Sequence, residues 1–224
     1  MVDRDQIAQT LQQACHIDGD YEIQSNGLVN VKGNITLDAK NVTYPHLPVH
    51  FGIVDGHFWA PDVGLRSWQG FPREVTGMLM LNFNQIHSWQ GAPARVHSLG
   101  MAHNPVLTLE GMPEVLYTLD VSNCGLTNLK GISGPLAGWL GARDNPLRSL
   151  DGFDGAEISF TFDYAPQLPL LKALLTKKQI EVMGDQRAEK VTQILNRYAG
   201  SGKKGALACA AELIKTGFKE NARW

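Results

Sequence analysis

Apolar and polar positions along this chain repeat with a period of about twenty residues, anchored on a Trp/Leu-x-Gly triplet. The triplet recurs as Trp68-Gln69-Gly70, Trp89-Gln90-Gly91, Leu109-Glu110-Gly111, Leu129-Lys130-Gly131 and Leu150-Asp151-Gly152, with glycines 21, 20, 20 and 21 apart. Upstream of each glycine the same apolar positions return, giving x-L-x-L-x-x-N-x-L-x-x-L-x-G over 78–91, 118–131 and 139–152. A degenerate earlier copy runs from Asn34 through Ile35, Leu37, Lys40 and Val42. The L-x-L pairs, such as Leu79/Leu81 and Leu119/Val121, alternate with period two and predict a short strand with one face inward. Stacked turns then make a parallel sheet.

Every other position in the unit has a physical reason. The N position reads Asn84, Asn104, Cys124 and Asn145; there an amide can satisfy buried backbone groups of neighbouring turns. In the earlier copies Lys40 and Val63 hold that place, which predicts irregular first turns. The glycine supplies a positive φ or a close approach, and Pro72, Pro93 and Pro113 two residues later stop any helix. Extended or 3-10 backbone is expected on the far side, with Val75, Val96 and Val115 turned inward. The register predicts about six turns of 20 to 23 residues.

A solenoid needs capped ends. Residues 3–15 carry apolar positions at Ile7, Leu11 and Cys15 with Asp3 as N-cap, and residues 21–33 predict a hairpin turning at Asn26-Gly27. At the other end Ile158, Phe160 and Phe162 alternate as a last strand. Segments 168–178, 188–199 and 205–217 then predict three helices, with Val191, Ile194, Leu195, Tyr198, Leu207, Ala210, Ala211 and Ile214 packed inward.

This pattern over 34–152 resembles the leucine-rich-repeat family. The L-x-G-x-P style and the closing segment 197–224 also look like repeat proteins encoded by large tailed bacteriophages. The resemblance implies an α/β solenoid with a short-repeat parallel β-sheet: an N-terminal helix and hairpin cap (1–33), the repeat solenoid (34–164) and a basic three-helix C-terminal cap (165–224). It implies a phage setting and a host cytoplasm.

The outward positions of aligned turns fall into rows. One row is Asp62, Phe83, His103, Asn123 and Asp144; another is Trp59, Met80, Gly100, Asp120 and Gly141; a third is His57, Met78, Ser98, Thr118 and Trp139. Large apolar side chains among carboxylates on one face mark a binding surface. The candidate partner-binding residues are therefore Trp59, Asp62, Met80, Phe83, His103, Asp120, Asn123, Trp139, Arg143 and Asp144. His103 and Asp144 lie two turns apart, ~9.6 Å by strand spacing, too far for an acid-base pair.

Charge sharpens that reading. Residues 1–164 hold 17 Asp+Glu and 9 Lys+Arg, a balance of −8, while 165–224 hold 5 and 11, a balance of +6; together they give the net −2. The acidic face suits a protein partner with a basic surface. The basic end, through Lys177, Lys178, Lys203 and Lys204, offers nucleic-acid binding as the second possibility. Gly200-Ser-Gly-Lys203-Lys204-Gly205 lacks the spacing of a phosphate loop and reads as a turn between helices. The seven histidines show no ligand spacing, so no metal, no cofactor and no catalytic constellation is expected. Cys15, Cys124 and Cys209 are too few and too scattered for a disulfide framework; with no apolar run long enough to span a membrane, a cytoplasmic protein is expected. The sequence thus predicts a non-enzymatic protein-protein interaction module, and the phage resemblance implies an antitoxin-like role that inhibits a host-defence or toxin protein.

Overall fold

In the computed structural model, which describes residues 2–37, 43–155 and 157–224, the apolar positions of the repeat line up into one parallel ladder. Lys40 and Val42 of the degenerate copy lie outside the described residues. The chain opens with helix α1 (Arg4–Ala14), whose first turn is capped by Asp3 accepting from Gln6 N at 3.0 Å. Strands β1 (Cys15–Ile23) and β2 (Val29–Leu37) follow as an antiparallel hairpin around Gly27, φ 85°. From β2 onward every rung is parallel: β3 (Phe51–Asp55), β4 (Phe58–Trp59), β5 (Glu74–Met80), β6 (Arg95–Gly100), β7 (Glu114–Asp120), β8 (Trp139–Gly141), β9 (Ser159–Asp163) and β10 (Ile180–Met183).

The result is a parallel-strand β-solenoid of about seven turns, one more than the glycine register predicts. The hairpin is not separate from the sheet, since β2 pairs directly with β3 and β4, and β10 adds a rung beyond residue 164. Ile35, Phe58, Leu79, Leu99, Leu119, Leu140, Phe160 and Ile180 are aligned neighbours along the ladder, and all are fully buried. One residue per turn thus builds a continuous core column. Val75, Val96 and Val115 are buried as well, but they belong to the same strands, separated from the main ladder by a bulge in β5 and β6.

The asparagine positions hold successive turns together. Asn145 accepts from Cys124 N (3.0 Å) and Leu126 N (2.9 Å) through Oδ1, and donates through Nδ2 to Val121 O (2.9 Å) and Ala142 O (3.1 Å). Asn84 does the same with Val63 N, Leu65 N, Ala60 O and Leu81 O. Cys124 can donate through Sγ to Met101 O (3.3 Å) but has no amide oxygen, so Val106 N turns to the carbonyl of Asn104 in its own turn (2.9 Å). On the far side Trp68 and Trp89 stack and donate their indole N–H to Ser88 O and Thr108 O of the following turns, each at 2.7 Å.

The C-terminal end departs from the three-helix expectation. Segment 168–178 forms a 3-10 turn over Leu171–Leu175, and the chain then enters β10. Leu168, Leu170, Leu171 and Leu174 are all buried, more apolar contact than one face of an α-helix would make. Two α-helices follow, α2 (Gln186–Tyr198) and α3 (Gly202–Lys215). Helix α2 closes the sheet edge: Asn196 bonds both the N–H and the carbonyl of Ile180, and Thr192 does so for Val182. Helix α3 buries Cys209 and Leu213, whereas Leu207 is 84% exposed, Ile214 53%, and Ala211 is exposed beside them. Three of the four α3 residues expected to pack inward, Leu207, Ala211 and Ile214, therefore face outward, while Ala210 is partly buried against the core. No helix among the described residues is long and apolar enough to cross a membrane.

Candidate functional site

The face of the sheet opposite the core column carries two strand rows, both in the register read from the repeat. Met78, Ser98, Thr118 and Trp139 are aligned partners, continued by Ser159. Trp59, Met80, Gly100, Asp120 and Gly141 are aligned in turn, continued by Thr161 and Glu181.

The two glycines of this second row make room for side chains lying along the sheet. A Cβ on Gly100 would sit 2.6 Å from the sulfur of Met80, and one on Gly141 would sit 2.2 Å from the indole of Trp139. The ring of Trp139 thus lies over Gly141, where its Nε1 donates to Thr161 Oγ1 (2.9 Å), which donates in turn to Glu181 Oε2 (3.3 Å). Trp59 is half-buried and stacks on His57 at 5.1 Å.

The third row is built differently from a strand row. Asp62, Phe83, His103, Asn123 and Asp144 all have left-handed backbone, with φ of 53°, 61°, 60°, 52° and 55°, and all are exposed. They are turn residues just before each N position, where the chain leaves the strand. Aspartate and asparagine tolerate this conformation; phenylalanine does so only at a cost. Phe83 is 55% exposed and stacks on His103 with ring centroids 4.2 Å apart. The amide of Asn123 bonds Nδ1 of His103 at 2.7 Å, and the carboxylate of Asp163 accepts from Asp144 N.

These rows meet in a groove of about 480 Å³ that brings together Phe83, His103, Asp120, Trp139, Arg143 and Asp144. Four expected residues stay outside its lining: Trp59, Asp62 and Met80 lie toward the N-terminal end of their rows, and Asn123 supports His103 from the side. Sequence reasoning missed Thr161, Glu181 and Met183, which complete the groove from β9 and β10. Thr161 could have been found from the alternation of Phe160 and Phe162, which turns it outward. Glu181 and Met183 carry the same signal, a four-residue alternation with Ile180 and Val182 buried. Three carboxylates, Asp120, Asp144 and Glu181, share this groove with one guanidinium, Arg143. Among the described residues none of these four groups is in an ion pair.

The basic end is more self-contained. Lys177 pairs with Glu157 (3.1 Å) and Lys178 donates to Ala137 O (3.0 Å), while Lys172 and Arg197 are paired with Asp151 and Glu212. Lys203 and Lys204 are exposed on the first turn of α3. Burial pushes the Cys124 thiol up to about 11; a backbone hydrogen bond with Asn104 opposes the rise and the negative charge of Asp120 adds to it. Among the described residues no group of three or more His, Cys, Asp or Glu is placed to hold a metal ion. Comparison with protein-family models, curated proteins and solved structures finds no match to this chain.

Proposed function

We propose that this protein is a non-enzymatic interaction module of the leucine-rich-repeat kind, which docks a basic protein surface on the open face of its sheet. The observation that carries the reading is the groove. The exposed ring of Phe83, the half-buried ring of Trp139 and three carboxylates that form no ion pair among the described residues converge there, and such a surface favours a cationic, partly apolar partner. Phe83 adds to it, because an exposed phenylalanine in left-handed backbone is locally unfavourable and so points to a use outside the fold. In the phage setting that the repeat style implies, the partner is a host-defence or toxin protein whose nucleic-acid-binding surface the module covers.

Affinity purification from expressing or infected cells, with identification of the co-purifying protein, tests this. The triple change of Trp59, Phe83 and Trp139 to Ala should lose that protein while the circular dichroism of the fold is kept. Undiminished capture would refute the docking face.

A second reading, nucleic-acid binding by the basic end, rests on Lys203 and Lys204, since Lys177 and Lys178 are already engaged within the chain. It requires retention on a DNA or RNA column that weakens steeply with salt and is lost when both lysines are neutralised.

A further inference from the structure

We propose that the groove receives an arginine side chain of the partner, its guanidinium lying on the ring of Trp139 between Asp120 and Glu181. This rests on the protein-docking reading above and names the chemistry it recognises.

The geometry comes from the register. Asp120, Gly141, Thr161 and Glu181 are consecutive partners across β7, β8, β9 and β10. The Trp139 ring covers Gly141, so one carboxylate originates about 4.8 Å away on one side and the other about 9.6 Å away on the opposite side. The indole is fixed in place twice, by the missing Cβ beneath it and by its hydrogen bond to Thr161, which is itself bonded to Glu181. A rigid aromatic platform flanked in this way suits a flat cation with donors along its edges. Guanidinium stacks on an indole face and spends its in-plane N–H groups on carboxylates, whereas an ammonium lacks the plane and holds its water more strongly. Charge agrees: three carboxylates against one guanidinium leave the groove negative before a partner arrives. A neutral sugar could use the ring but not that charge.

The test follows the indole Nε1–H of Trp139 by NMR, assigned with Trp139→Phe, while acetyl-Gly-Arg-Gly-amide is titrated in. Parallel titrations use the lysine and citrulline peptides and a panel of methyl glycosides. The arginine peptide should shift the signal saturably, lysine should bind several-fold more weakly, and citrulline and the glycosides should leave it unmoved. Asp120→Asn and Glu181→Gln should each weaken the arginine peptide about tenfold while the free Trp139 signal stays in place. Equal shifts with arginine and citrulline, no saturable shift with arginine, or a shift with glycosides alone would overturn the proposal. Partner capture separates the two levels. If Phe83→Asn abolishes capture while Asp120→Asn and Glu181→Gln leave it intact, docking on the face stands and the arginine seat falls. If all three variants capture normally, the docking reading falls and the seat falls with it.

Discussion

Phe83 and His103 sit one turn apart in the same left-handed conformation, φ 61° and 60°, with their rings stacked 4.2 Å between centroids. Phe83 is not the residue the backbone would choose; the other turns place Asp62, His103, Asn123 and Asp144 there. Phe83→Asn removes strain worth about 1–2 kcal/mol and loses a partly exposed stack worth about 0.5–1.5 kcal/mol. Stability by urea unfolding should therefore move by less than about 1 kcal/mol, while partner capture is lost. A large loss of stability would show that the pair serves the fold instead.

Between Asn84 and Asn145 the asparagine ladder has one gap, at Cys124, and filling it should help. Cys124→Asn gives Val106 N an amide acceptor in the next turn, the arrangement Leu65, Ile86 and Leu126 already have. Because Val106 N then exchanges its bond to Asn104 O for one across the turn, the gain is at most about 1 kcal/mol, a rise in melting temperature of up to roughly 2–4 °C for a chain this size. Asn145→Ala runs the other way: it strands two N–H groups and two carbonyls and should cost on the order of 3 kcal/mol. An unchanged melting temperature in both variants would contradict the ladder's structural role.

Gly141→Ala probes the platform without backbone strain, since Gly141 does not need a positive φ. The new methyl would occupy the place of the indole, so Trp139 must swing away and give up Thr161. Trp139 fluorescence should shift and capture should fall, with far-ultraviolet circular dichroism unchanged. An unaltered Trp139 environment would show that the ring does not lie where the register places it.

Much of this was readable from period alone. The alignment of Leu79, Leu99, Leu119 and Leu140, and with it the row Trp59, Met80, Gly100, Asp120, Gly141, follows from counting between glycines. The turn row was harder to read, because Phe83 hides a left-handed position that Asp62, His103, Asn123 and Asp144 would by themselves have signalled. Segment 168–178 has the leucine and lysine content of a helix, but burial of leucines on several sides overrides that propensity. Helix α3 is apolar almost all round, so periodicity could not choose between the face of Cys209 and Leu213 and the face of Leu207 and Ile214. Glu181 went unread because a four-residue strand after a false helix leaves little pattern.

The thiols give a pH test. Burial pushes Cys15 up to about 12 and Cys124 and Cys209 to about 11, from an ordinary 9.0. A thiol whose folded value is raised contributes stability that is complete below pH 9 and is lost as pH rises through 11 to 12. At pH 8 the native protein should react slowly with an aromatic disulfide reagent, and all three thiols should react at once in denaturant. Fast reaction of the native thiols would contradict their burial.

Carboxylate footprinting of the captured complex tests the central claim most directly. Carbodiimide labelling followed by mass spectrometry should show Asp120, Asp144 and Glu181 protected when the partner is bound, with Glu110 on the far side of the solenoid labelled as in the free protein. Equal labelling of Asp120, Asp144 and Glu181 in the free and bound protein would place the partner elsewhere and contradict docking on the open sheet face.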